Sequence, residues 1–138
     1  MGFAMSIDTY DTLAMIRPGA EARYSLDWME RVAREVATGA TVSRQLSKPL
    51  KQEMVVVARQ GVELQIFLSS DPHVREESDE IAQEDGIGCA GATHRFELLG
   101  TDMDLLLEND HQALCERLNA TGDFVLYSGQ SGPYDNWS

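Results

Sequence analysis

Glu53-Met-Val-Val-Val-Ala-Arg59, Gln60-Gly61 and Val62-Glu-Leu-Gln-Ile-Phe-Leu68 decide the fold of this chain. The first run is β-branched and nearly continuous, which suits a central strand covered on both faces. The second alternates at first and then turns apolar. Two residues ending in glycine between two such runs are a hairpin signal. The segment therefore predicts two adjacent antiparallel strands.

Working outward, residues 11–17 are short, apolar and closed by Pro18-Gly19, and read as a strand ended by a turn. Residues 93–99, ended by Gly100, and 123–127 read as two more strands. Residues 25–38 predict a helix. Ser25 can accept a hydrogen bond from a first-turn N–H. Leu26, Trp28, Met29, Val32, Ala33, Val36 and Ala37 fall on one half of its wheel, and Gly39 suits the left-handed position past its end. Asp27–Arg31 and Glu30–Arg34 are acid-first pairs four residues apart. Between this helix and the hairpin, residues 40–51 hold Arg44, Lys48, Lys51, Pro49 and no acid. They read as a polar connection with a solvated basic rim.

Two acidic stretches follow. In 71–85, Asp71 can cap a helix with Pro72 in its first turn, but only Val74, Ile81 and Ala82 are available to bury. A short, weakly anchored acidic helix or an ordered acidic loop is expected. Residues 86–92 (GIGCAGA) read as a loop. Residues 102–119 read as helical with a break. A continuous helix would place Asp110 on the apolar face of Met103, Leu106, Leu107, Leu114 and Leu118. A restart at Asn109 would put that carboxylate in a first turn, where the helix dipole favours it. These elements predict an α+β fold: one domain over 1–138, with a mixed or antiparallel sheet of four to five strands. Two to three helices would pack mainly on one face. Residues 1–5 are expected to be flexible and 128–138 to form a C-terminal tail.

A length of 138 residues, 43% hydrophobic and 25% charged, is ordinary for one globular unit. Cys89 and Cys115 lie in different elements, without metal-knuckle spacing, and read as reduced thiols of a cytoplasmic protein. No apolar stretch is long enough to span a membrane, and the N-terminus lacks a secretory signal pattern. No nucleophile elbow, Walker loop or dinucleotide fingerprint occurs. Cys89 with His94 makes only half a zinc site. Asp104, Glu108 and His111 resemble half of a di-iron site, whose other half the chain lacks. No catalytic residue, metal site or cofactor is assigned.

Charge is the functional clue. Residues 1–60 carry 8 Lys/Arg and 7 Asp/Glu, a net of +1, whereas residues 61–138 carry 3 Arg and 16 Asp/Glu, a net of −13. Such a field attracts basic protein surfaces and repels nucleic acid and anionic lipid. The acids concentrate in the two stretches flanking the strand 93–99. Folded together around it, they would form one acidic face. The residues assigned to a basic partner are Glu76, Glu77, Asp79, Glu80, Glu84, Asp85, Asp102, Asp104 and Glu108. Tyr134 and Trp137 join them as aromatic anchors. In size, charge and style, though through no motif, the chain resembles the immunity proteins that protect bacteria from their own secreted toxins. That resemblance implies an inhibitor that covers a basic active site with carboxylates, steered by opposite charge. The alternatives are a small enzyme or ligand-binding domain with a non-contiguous site, and a regulatory homodimer subunit.

Overall fold

The hairpin read from residues 53–68 forms the middle of one side of a seven-stranded sheet. The computed structural model describes residues 9–101 and 104–134. In chain order the elements are β1 (Thr9–Ile16), α1 (Leu26–Val36), β2 (Thr41–Ser47), β3 (Gln52–Arg59), β4 (Val62–Ser69) and α2 (Pro72–Asp85). Then come β5 (Arg95–Thr101), α3 (Leu105–Ala120), β6 (Phe124–Ser128) and β7 (Gly132–Pro133). The strand order is β2-β3-β4-β5-β1-β6-β7, and every pairing is antiparallel. The expected sheet of four to five strands is thus too small.

The two added strands have physical reasons to escape a pattern reading. β2 is an edge strand, paired with β3 from Thr41↔Ala58 to Ser47↔Gln52. Of its seven residues only Val42 is buried, so it carries no clear alternation. β7 is two residues of the expected tail, paired with Tyr127 and Ser128.

Alternation along the central strands builds two unlike faces. On one, Ala14 and Ile16 of β1, Val55 and Val57 of β3, Leu64 and Ile66 of β4, and Phe96 and Leu98 of β5 join a single core. α1 contributes Met29, Val32 and Ala33, and α3 contributes Leu107, Leu114, Cys115 and Leu118. Tyr24, Trp28, Phe96 and Phe124 pack ring against ring within it, at centroid distances of 4.6–6.2 Å. α1 starts where Ser25 Oγ accepts from the Trp28 N–H at 3.1 Å. Glu30 pairs with Arg34 as its spacing implies, while Asp27 pairs with Arg44 of β2 rather than with Arg31.

The other face carries α2. Met15 of β1 and Val125 of β6 pack there with Ile81, Cys89 and Ala92. The helices are therefore split between the faces, two against one. α2 is anchored better than its composition suggests. Asp71 Oδ1 accepts from the His73 N–H at 3.0 Å, and Gly86 closes the helix at φ +67°. A Cβ is disfavoured in that conformation, so glycine suits it.

α3 is one continuous helix, against the expected restart at Asn109. Asp110 does fall on its buried face, 5% exposed. Its carboxylate accepts from Arg59 Nε at 2.6 Å and Nη2 at 3.1 Å. The same guanidinium donates to the Thr38 carbonyl at 2.7 Å. A bidentate partner supplied by β3 removes the penalty that a broken helix would avoid.

Candidate functional site: an acidic cleft beneath α2

The cleft follows from two periodicities meeting. Along β1, Asp11, Leu13 and Met15 point away from the α1–α3 core, and along β5 so do Arg95, Glu97 and Leu99. The register sets Asp11 beside Leu99, Leu13 beside Glu97 and Met15 beside Arg95. β6 adds Tyr127 next to Leu13. Above this surface, α2 buries Val74, Ser78 and Ile81. A neighbouring stripe of the helix, His73, Glu77, Glu80 and Glu84, faces the opening at spacings of three and four residues. That stripe, with Ile81 and the β1, β5 and β6 residues other than Met15, lines a cleft of about 420 Å³.

Its walls combine apolar side chains, Leu13, Ile81 and Leu99, with five carboxylates: Asp11, Glu77, Glu80, Glu84 and Glu97. Against these stands the Arg95 guanidinium, 5% exposed. Arg95 donates to Glu97 Oε2 at 2.7 Å and to Glu77 Oε1. Burial opposes its charge, but the hydrogen bonds to Glu77 and Glu97 outweigh it and raise the guanidinium pKa. Glu77 also reaches His73 Nε2 at 3.6 Å. Among the described residues no such clamp holds Asp11. Burial first, and then the Glu97 carboxylate, push its pKa above the usual range, with Arg95 opposing. Tyr127 is raised by burial and by the neighbouring Asp85 carboxylate. The arrangement thus leaves carboxylate charge in excess over a half-apolar floor.

The residues assigned from sequence are not gathered at one place. Glu77, Glu80 and Glu84 line the cleft. Asp85 lies at its rim through Tyr127. Glu76 is exposed on α2 outside the lining. Asp79 is engaged structurally, accepting from the Gly91 N–H at 2.7 Å and pairing with Arg75 at 3.3 Å. Asp104 caps α3, accepting from the Leu107 N–H at 2.9 Å. Glu108 is on α3, so both sit with the opposite face of the sheet. Tyr134 packs against the α1–α3 core. Asp102 and Trp137 lie outside the described residues, as do residues 1–5. The two acidic stretches therefore do not merge into one face; the sheet lies between them.

Sequence reasoning does not single out Asp11, His73, Arg95, Glu97 or Tyr127. A signal exists in Arg95-Phe96-Glu97-Leu98-Leu99, where charge and apolarity alternate. In a strand that pattern puts ionised groups on a single face.

Other candidate clusters hold less chemistry. Cys89 and Cys115 are free thiols buried in the two different cores. Cys89 Sγ donates to the Ser78 carbonyl at 3.3 Å, and burial pushes the Cys115 thiol up to about 12. His111 Nε2 is 2.9 Å from Thr12 Oγ1 and 3.8 Å from Cys115 Sγ. Burial pushes its imidazole down to about 4. A thiol held protonated beside a neutral imidazole is a packed group rather than a nucleophile. Among the described residues no group of three or more His, Cys, Asp or Glu is placed to hold a metal ion, and no helix is long and apolar enough to cross a membrane.

Set against family models, curated proteins and solved structures, the chain matches none. Its function is read from the site itself.

Proposed function

We propose that the chain is a binding module that recognises a basic protein through the cleft beneath α2, in the manner of an immunity-type inhibitor of a cationic toxin. It acts by occupying its partner, without catalysis, in the cytoplasm, where its thiols stay reduced. One observation carries this reading. Carboxylates from β1, β5 and α2 converge on a cleft whose floor is half apolar and whose guanidinium, Arg95, is already shared by Glu77 and Glu97. A lysine or arginine side chain has the matching form, an aliphatic stem with a cationic end. The carboxylates would steer a basic partner and fix its orientation.

Affinity capture from the host with mass spectrometry tests this, followed by titration at rising salt. One basic protein should be retained, with affinity falling steeply as salt rises. Glu80→Lys/Glu84→Lys should abolish capture. Glu116→Lys, a charge reversal on an exposed residue of α3, should leave most of it. Equal losses from both variants would mean that only net charge matters and that the cleft is not the site.

Asp11 favours a second reading, a pocket for a small cationic ligand. A carboxyl of raised pKa beside Glu97 keeps its proton to higher pH than an ordinary aspartate, and a cation entering the cleft would displace that proton. A copurifying amine or guanidine metabolite displaced by Asp11→Asn would support it over the protein partner.

A further inference from the structure

The two edges of the sheet are unlike, and the longer one has the features of a second docking surface. β7 presents two residues, one of them Pro133, which has no N–H to donate. Such an edge is a poor template for another strand. β2 presents seven, Thr41–Ser47, and among the described residues it pairs with β3 alone. Its outer side therefore offers a row of backbone donors and acceptors.

Side chains at this edge add apolar contact and charge. Leu46 is 63% exposed and Leu50, in the turn that follows, 58%. Lys48 and Lys51 are exposed in the same turn and carry no ion pair among the described residues. Arg44 is already committed. Its guanidinium donates to Asp27 at 2.6 Å and to Glu53 at 2.6 Å, on the α1 side of the sheet. Residues 40–51 hold three basic residues and no acid in a chain of net −12, so the remainder carries −15.

We propose that β2 and the turn after it accept, by strand addition, an extended segment of another protein in which acidic residues flank an apolar one. Main-chain bonds to the open edge would supply affinity that is blind to sequence. Leu46 and Leu50 would read the apolar residue, and Lys48 and Lys51 the acids. Screening confines the repulsion of distant acids to about 8 Å at physiological salt, and the nearby acids Asp27, Glu30 and Glu53 are taken up by Arg44, which leaves Lys48 and Lys51 as the exposed charges of the turn. The local sign at the edge then decides. A second copy fits less well. Two-fold antiparallel pairing of β2 centred on its middle residue sets Arg44 opposite Arg44, and like charges directly opposed are destabilising.

The test uses the full chain, labelled with nitrogen-15 and titrated with a capped heptapeptide of alternating glutamate and leucine. Saturable shifts are expected across residues 41–51, with slower amide exchange along β2. Lys48→Glu/Lys51→Glu should weaken binding about tenfold, the size expected when two exposed charge pairs reverse sign. A peptide with lysine for glutamate should not shift these residues. Shifts centred on α2 with the glutamate peptide, equal shifts of residues 41–51 by the lysine peptide, or no saturation would overturn the proposal. So would a sedimenting dimer whose β2 amides are protected without peptide, which would make a second copy the occupant. None of these outcomes touches the cleft variants, so the two proposals fail separately.

Discussion

The two faces of the sheet solve different problems with the same strands. On the α1–α3 face Phe96 and Leu98 of β5 are fully buried, and Phe96 packs with Trp28 and Phe124 beneath two helices. On the α2 face the same strand presents Arg95 and Glu97, and β1 presents Asp11. Ionised groups on central strands are weak stabilisers, because the cost of leaving water offsets most of the attraction. Well-packed apolar residues at these positions would hold α2 at least as firmly. One face is thus arranged for stability. The other has buried clusters of its own, around Met15 and Ile81 and around Val56 and Phe67, but between β1, β5 and α2 it gives up stability for a charged concavity, which is the pattern of a site.

The comparison breaks most visibly at Phe96. Phe96→Ala empties the centre of the aromatic cluster, and a fully buried phenylalanine truncated in a core costs about 3–5 kcal/mol. Urea unfolding followed by tryptophan fluorescence should show the midpoint fall with little change in slope. A loss below about 1 kcal/mol would mean that the α1–α3 face is not the stabilising one.

pH should act on the two faces in opposite directions. His111, on the α1–α3 side, has its folded pKa lowered by burial from 6.5 to about 4. The unfolded chain therefore binds the proton first, and stability falls as pH drops from 6.5 to about 4. At full protonation the loss is about 3 kcal/mol, because each tenfold difference in proton affinity between the folded and unfolded chain is worth about 1.4 kcal/mol. His111→Gln should flatten that limb. Asp11, on the α2 side, has a raised folded pKa, so the native state takes up its proton first. Its contribution is fully present below the ordinary value of 3.8 and is lost as pH rises through the raised one. Asp11→Asn should accordingly stabilise the protein at neutral pH, by less than about 1 kcal/mol after solvent screening. That gain should fade as the medium is acidified toward the ordinary aspartate range. Thermal melts of both variants from the ordinary aspartate range up to neutral pH check the signs. A destabilised Asp11→Asn at neutral pH would remove the argument that this face gives up stability.

How much of this is legible in the sequence depends on whether the signal is local. The hairpin 53–68, the Ser25 cap and the Asp71-Pro72 start all rest on neighbouring residues, and all appear in the structure. β2 reads as a connection because an edge strand buries one side chain and needs no alternation. The unbroken α3 escapes a local reading because Asp110 is neutralised by Arg59, fifty-one positions away. The cleft is half legible. Glu77, Glu80 and Glu84 stand out as part of an acid run, whereas Asp11 and Glu97 meet only through the β1–β5 register. The separation of the two acidic stretches by the sheet is likewise a matter of topology, which charge counts do not contain.

The smallest effect on stability should accompany the largest on recognition. Glu80 and Glu84 are exposed, and no salt bridge ties either to a basic residue among the described residues. Glu80→Gln/Glu84→Gln should therefore shift unfolding by no more than about 0.5 kcal/mol, the usual range for surface substitutions. Relief of repulsion from Glu77 and Asp11 would make any change a gain. Glu116→Gln on α3 serves as the control, since among the described residues Glu116 accepts only a long hydrogen bond from Gln112, at 3.4 Å. With the captured basic partner in hand, the cleft pair should lower affinity and flatten its salt dependence, while Glu116→Gln should do neither. A variant that keeps its melting curve and loses its partner separates the two faces by function. If the α3 control lost as much binding, the difference between the faces would be one of packing alone.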